Sequence, residues 1–208
     1  MTKKILPLIY IAILLFVLAF AAMNQVQAPA EVETVYVPEG PMTLPANYRD
    51  TFQLYLIVDR PDETVRFLYI RPDILATLQS NQPLPYGSQL IIETYHARQD
   101  ADGNLLYDSN GHLIAGEMFP NVHMMEKRDN WTIEELPSPI GVIDWNFTSF
   151  DARTMRPSDE NRNDCLTCHD SSAFRRDLTF SRPIIERYLA TGKVQYLFCN
   201  RINRGNCI

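Results

Sequence analysis

Hydrophobic and polar side chains alternate along much of the chain between residues 52 and 147, with the period of two that marks strands having one buried face. Phe52, Leu54, Leu56 and Val58 alternate with Gln53, Tyr55 and Ile57. Val65, Phe67 and Tyr69 follow after the Pro61-Asp62 turn signal, so the two runs predict a β-hairpin. Gly87 opens a third strand from Leu90 to Tyr95, and Val122 to Lys127 and Val142 to Phe147 complete the strong candidates. Asp100 to Asn104 and the Asn110-Gly111 pair carry turn chemistry and leave a weak strand around Leu105 to Tyr107. The period turns helical twice. Pro72 ahead of Ile74, Leu75 and Leu78 predicts a short helix that stops before Pro83 and Pro85. Ser181 as N-cap, Pro183 in the first turn, Ile184, Ile185, Tyr188 and Leu189 on one face and Gly192 past the end predict a longer one. These elements make an α+β chain of mainly β character.

The amino-terminal segment breaks both patterns. Lys3 and Lys4 precede an uncharged apolar run of 19 residues from Ile5 to Met23, followed by the polar Asn24 to Gln27. That run is longer than most signal-peptide cores and close to the roughly 20 residues of a membrane-spanning helix. Residues 1–28 are therefore assigned as a signal anchor or a signal peptide. Ala19-Phe20-Ala21 offers a small-x-small cleavage site, whereas Val26-Gln27-Ala28 is followed by Pro29, and an uncleaved anchor is favoured. The two lysines orient the remainder of the chain outward, which in a bacterium is the periplasmic side of the inner membrane, with release into the periplasm if cleavage occurs. Residues 29–45, with four prolines, read as an extended linker, and residues 46–208 as one domain large enough to enclose a core. The chain carries a net charge of −6, or −8 without Lys3 and Lys4, which excludes nucleic acid as a partner.

Candidate chemistry is concentrated in Cys165-Leu166-Thr167-Cys168-His169. C-x-x-C-H is the spacing at which two thiols on one helical turn meet the vinyl groups of a single haem while the next imidazole reaches its iron. A half zinc site is the alternative, needing two further ligands at short spacing, with only Cys199 and Cys207 downstream and no later histidine. One covalent haem c, attached through Cys165 and Cys168 with His169 as axial ligand, is expected. No methionine follows His169, so a sixth ligand would come from His96, His112, His123, Met118, Met124 or Met125. Export to an oxidising compartment predicts a Cys199–Cys207 disulfide, worth about 2.5 kcal/mol in the chain-entropy model.

Beyond the pentapeptide, the chain resembles the cytochrome P-460 family, with its related β-sheet cytochromes c-prime. The resemblance rests on Leu44-Pro45, Tyr48-Arg49-Asp50, Val65-Arg66-Phe67-Leu68-Tyr69, Pro85-Tyr86-Gly87, Met124-Met125-Glu126-Lys127, Trp145-Asn146-Phe147 and Asp177-Leu178-Thr179-Phe180-Ser181, in that order. It implies an antiparallel sheet with peripheral helices, a five-coordinate haem, small nitrogen oxides such as nitric oxide or hydroxylamine as ligands, a redox partner protein and a homodimer. The hydroxylamine oxidisers carry a haem-linked lysine on the strand after the glycine turn, and Leu90 to Tyr95 contains none. Lys127 is assigned to a solvated strand end. Glu93 and Glu126 are the counterparts considered for the family's distal proton-relaying carboxylate, and Phe52, Phe67 and Tyr95 either line the iron's apolar face or pack the core. Three functions remain in view: nitrogen-oxide binding at an open iron, hydroxylamine oxidation, and six-coordinate electron transfer.

Overall fold

The computed structural model describes residues 35–199, apart from 81, 133, 137–143 and 174–176. Residues 1–34 and Cys207 lie outside the described residues, so the leader, its cleavage sites and the tail are not seen. Among the described residues no helix is long and apolar enough to cross a membrane.

Seven strands form one sheet. They are β1 (Gln53–Asp59), β2 (Thr64–Ile70), β3 (Gln89–Ala97), β4 (Ala115–Met118), β5 (Asn121–Lys127), β6 (Trp145–Asp151) and β7 (Gln195–Phe198). Their order is β6-β5-β3-β2-β1-β7, with β4 paired to β3. Every pairing is antiparallel except the last, where β7 runs parallel to β1, Leu56 facing Gln195 and Asp59 facing Phe198. The sheet is therefore mixed, and the antiparallel expectation is corrected at that edge. A parallel partner needs a long crossover rather than a tight turn, and residues 60–194 supply it.

The predicted hairpin is present, with a bulge between Leu54 and Leu56 that the alternation did not foresee. The bulge breaks parity, so Tyr55 and Leu56 are both fully buried. The weak strand around Leu105 reduces to isolated bridges, Gln99 to Leu105 and Tyr107 to Leu113. The last strand candidate begins at Trp145, later than expected, and residues 142 and 143 lie outside the described residues.

Among the described residues four helices accompany the sheet: α1 (Tyr48–Thr51), α2 (Pro72–Thr77), α3 (Arg162–Ala173) and α4 (Arg182–Thr191). Helix α4 ends as its sequence dictates, on Gly192 at φ 65°, whose N–H donates to the Tyr188 carbonyl. Its expected cap does something else. Ser181 Oγ shares a 2.6 Å hydrogen bond with the Tyr55 hydroxyl, joining the helix start to β1.

One face of the sheet, with Leu68, Ile70, Leu90, Met125, Trp145 and Phe147, packs under α3 and α4 through Leu166, Ile184 and Ile185. The other face, with Tyr69, Ile91, Val122, Met124 and Phe150, is covered by Met42, Leu44 and Tyr48. Each such aliphatic side chain contributes about 1.5–3 kcal/mol by leaving water. Met42 and Leu44 are buried, and the compact unit begins at Val35. Gly87, at φ 87°, is required where the segment beginning at Val35 crosses the sheet, since a Cβ there would lie 2.5 Å from the Tyr36 carbonyl oxygen.

Candidate functional site

The pentapeptide lies on α3, which packs against β6. Positions 165, 168 and 169 share one helical face, and Cys165, Cys168 and His169 accordingly border one cleft of about 200 Å³. Neither cysteine is disulfide-bonded. Burial, reinforced by the Glu160 carboxylate, pushes the Cys165 thiol above its ordinary pKa, so it stays protonated at neutral pH.

His169 is held from three sides. Its ring lies 4.9 Å from that of Phe147 and 4.8 Å from that of Phe180. Its Nδ1–H donates to the Leu178 carbonyl at 2.6 Å, which fixes the tautomer and leaves the Nε2 lone pair for a metal. Burial lowers the imidazole pKa despite that hydrogen bond, so the ring is neutral at pH 7 and competent to coordinate. The accepting carbonyl belongs to an unusual turn: Asp177 and Leu178 both have left-handed backbones, φ 54° and 53°. Each costs about 1–3 kcal/mol in a residue other than glycine, so surrounding contacts must hold them. Asp177 makes those contacts. Its carboxylate accepts from Lys127 Nζ at 2.8 Å, from Leu84 N at 2.8 Å and from Trp145 Nε1 at 3.2 Å. Lys127, expected at a solvated strand end, is therefore a buried member of an ion pair.

Across from α3, the cleft wall is the sheet: Leu90, Ile92, Met125 and Phe147, with Arg66 and His123 at polar positions. Arg66 Nε is buried and lacks a hydrogen-bond partner, and burial draws the guanidinium down to about 10, still charged at neutral pH. An apolar slot bordered by a half-buried guanidinium whose Nε has no partner, two thiols and a metal-ready imidazole fits haem, whose flat ring is apolar and whose propionates are anionic. Cys165, Cys168 and His169 would hold it, with Arg66 toward a carboxylate. Among the described residues no three His, Cys, Asp or Glu side chains converge as a zinc site would require.

The two carboxylates considered for a distal role stand elsewhere. On β3, Glu93 alternates with Ile92 and joins Ile91 on the face turned away from the cleft. It is fully buried and accepts hydrogen bonds from Tyr48, Arg49, Tyr69 and Tyr95. Glu126, also fully buried, is clamped by Arg128 through Nε and Nη2, both at 2.9 Å. Neither borders the cleft, because strand parity sends both away from Leu90, Ile92 and Met125. Phe52, Phe67 and Tyr95 pack with the Glu93 side as well. Of the sixth-ligand candidates, His123, Met124 and Met125 reach the cleft. His96 stacks on Phe119, His112 on Tyr196, and Met118 accepts from Arg49. Cys199 is buried and disulfide-bonded, and its expected partner Cys207 lies outside the described residues.

Sequence reasoning did not assign a cleft role to Arg66, although its place between Val65 and Phe67 gives it the parity of Leu68. His123 pairs with Glu160 at 2.8 Å, and Asn121 also donates to that carboxylate. No sequence signal links Glu160 to β5, since 37 positions separate it from His123.

A helix that presents two thiols and an oriented imidazole to an apolar slot on a sheet is what a c-type cytochrome requires. The family model for Cytochrome P460 matches residues 45–181, and the chain belongs to that family, with haem as its cofactor. No curated protein matches the sequence.

Proposed function

We propose that the chain is an exported monohaem cytochrome whose haem is joined by thioethers to Cys165 and Cys168, with His169 as axial ligand and an open distal side that takes small nitrogen oxides. The observation that carries this reading is the shared cleft of Cys165, Cys168 and His169, with the imidazole tied at Nδ1. When bound, haem supplies an iron able to coordinate diatomics. The chain's own residues do the rest. Leu90, Ile92 and Phe147 keep the slot apolar, which favours an uncharged ligand such as nitric oxide over charged competitors that must shed water. Arg66 and His123 bring hydrogen-bonding groups to its wall. No lysine lines the cleft among the described residues, which supports nitric oxide binding over hydroxylamine oxidation by a cross-linked haem. Residues 5–23 would carry the domain to the periplasmic side of the inner membrane, anchored or released, where a redox partner protein exchanges electrons with it.

A second reading, a six-coordinate electron-transfer cytochrome, draws on His123 and Met125 at the same cleft. The ferrous optical spectrum with and without nitric oxide separates the two. A five-coordinate spectrum that shifts on adding nitric oxide is expected, whereas a six-coordinate, low-spin spectrum indifferent to it selects the electron carrier.

A further inference from the structure

We propose that Asp177, locked by Lys127, is the positioning residue for the axial imidazole: it holds the Leu178 carbonyl against His169 Nδ1 and so sets how strongly Nε2 binds iron. This deepens the proposed function and rests on His169 being the iron ligand. The Asp177 carboxylate is tied to three separate parts of the fold, Lys127 on β5, Trp145 on β6 and the backbone of Leu84. Its neighbour Leu178 is buried and left-handed, a conformation a leucine does not keep unaided. Thr179 Oγ1 donates back to the Asp177 carbonyl at 3.0 Å, and the Arg182 N–H donates to the Thr179 carbonyl as α4 begins. The turn is thus pinned on both sides of the one carbonyl that His169 uses.

Lys127 is 5% exposed at its side chain, and its ammonium contacts both Asp177 oxygens. It also sits 5.7 Å over the rings of Tyr86 and Trp145. An ammonium so enclosed, bonded to both carboxylate oxygens, holds the Asp177 side chain in one position. The strength of an Nδ1–H···O=C bond governs the donor power of the opposite nitrogen, and partners of this kind alter metal affinity by about 10–100-fold when removed. Loosening Asp177 therefore weakens the iron–histidine bond without touching either thioether.

The test uses the full-length holoprotein. Resonance Raman of the ferrous form reads the iron–histidine stretch, and paramagnetic resonance of the ferrous nitrosyl reads how much has lost His169. Asp177→Ala and Lys127→Met are expected to keep covalent haem, move the stretch to lower frequency and raise His169 loss about tenfold. Lys127→Arg, which retains the ion pair, is expected to restore the wild-type band. Should Asp177→Ala fail to fold, Lys127→Met decides, because Asp177 there keeps its Trp145 and Leu84 bonds. Variants that are less stable but have an unchanged band would make the pair merely structural and overturn the proposal. A wild-type protein lacking any iron–histidine band that His169→Gly removes would instead overturn the underlying reading.

Discussion

His123 Nε2 and Glu160 Oε2 lie 2.8 Å apart, and the two residues line different cavities: His123 the thiol-bearing cleft, Glu160 a second one of about 270 Å³. Thr148 borders both. The pair thus joins the thiol-bearing cleft to a solvent-facing acidic recess that also holds Glu134 and Glu135.

Burial works against the Glu160 carboxylate, yet hydrogen bonds from Asn121 and His123 hold its pKa below the ordinary 4.5. An acid depressed in the folded state binds fewer protons than in the unfolded one, so its contribution is present above about pH 4.5 and lost as pH falls through the folded value. Glu160→Gln is expected to cost at most about 1 kcal/mol at pH 7, because the pair is largely solvent-screened. Urea titrations at pH 7 and pH 3 check this: the difference from wild type should vanish at the lower pH.

Glu93 is a fully buried acceptor shared by four donors and does not border the thiol-bearing cleft. Glu93→Ala leaves three phenols and Arg49 without their shared acceptor, and is expected to cost about 3–5 kcal/mol. Whatever fraction folds should show the wild-type ferrous spectrum and bind nitric oxide normally. An altered iron spectrum at unchanged stability would reverse the assignment.

The same cluster gives an alkaline limit. Burial, then hydrogen bonding to Glu93 and its charge, raises the pKa of Tyr48 and Tyr95, and burial with the Glu93 charge raises that of Tyr69. These phenols keep their protons in the folded state when unfolded tyrosines have lost theirs. The contribution of these three phenols should therefore be constant below about pH 10 and decline above it, by up to about 1.4 kcal/mol per pH unit for each group. Ultraviolet titration of phenolate in wild type and in a variant with Tyr48, Tyr69 and Tyr95 replaced by Phe, run beside thermal unfolding at each pH, is the measurement; a phenolate signal near pH 10 in the folded wild type that the triple variant lacks would count against it.

Haem is expected to remain with the polypeptide on denaturing electrophoresis, and to give an ordinary c-type pyridine spectrum. β3 meets the cleft at Leu90 and Ile92, neither a lysine, and Lys127 is committed to Asp177. Replacing both Cys165 and Cys168 by Ser should abolish the haem-stained band, and a red-shifted ferrous chromophore in wild type would contradict the unlinked ring.

Gly87→Ala should destabilise by about 1–3 kcal/mol, through a left-handed backbone and the approach to the Tyr36 carbonyl. The iron spectrum of the folded fraction should not change, since Gly87 does not border the cleft.

Alternation along β1, β2 and β3 was legible because a half-buried strand must separate its apolar residues by two. The pentapeptide was legible because its chemistry is local. Parity also shows that Glu93 and Ile92 face opposite ways, but no periodicity says which face the haem helix will cover. That choice depends on the side to which α3 folds back on β6, the element just before it in the chain, and no periodicity encodes that side. The β7 pairing was hidden for a related reason, since four residues with no turn leading back to β1 carry no local sign of a parallel partner. Lys127 was misplaced because its partner, Asp177, lies 50 positions away.

The parallel seam of β1 and β7 also orders the birth of the molecule. Synthesis delivers β1 early, then the haem-bearing helix, and only afterwards the strand that closes the sheet's edge. Until residue 198 has emerged, α4 has no β7 beside it and the edge of β1 is open. Under the export and haem attachment proposed above, the two thiols precede the chain's final tertiary contact, so haem joining and the last act of folding would compete in time.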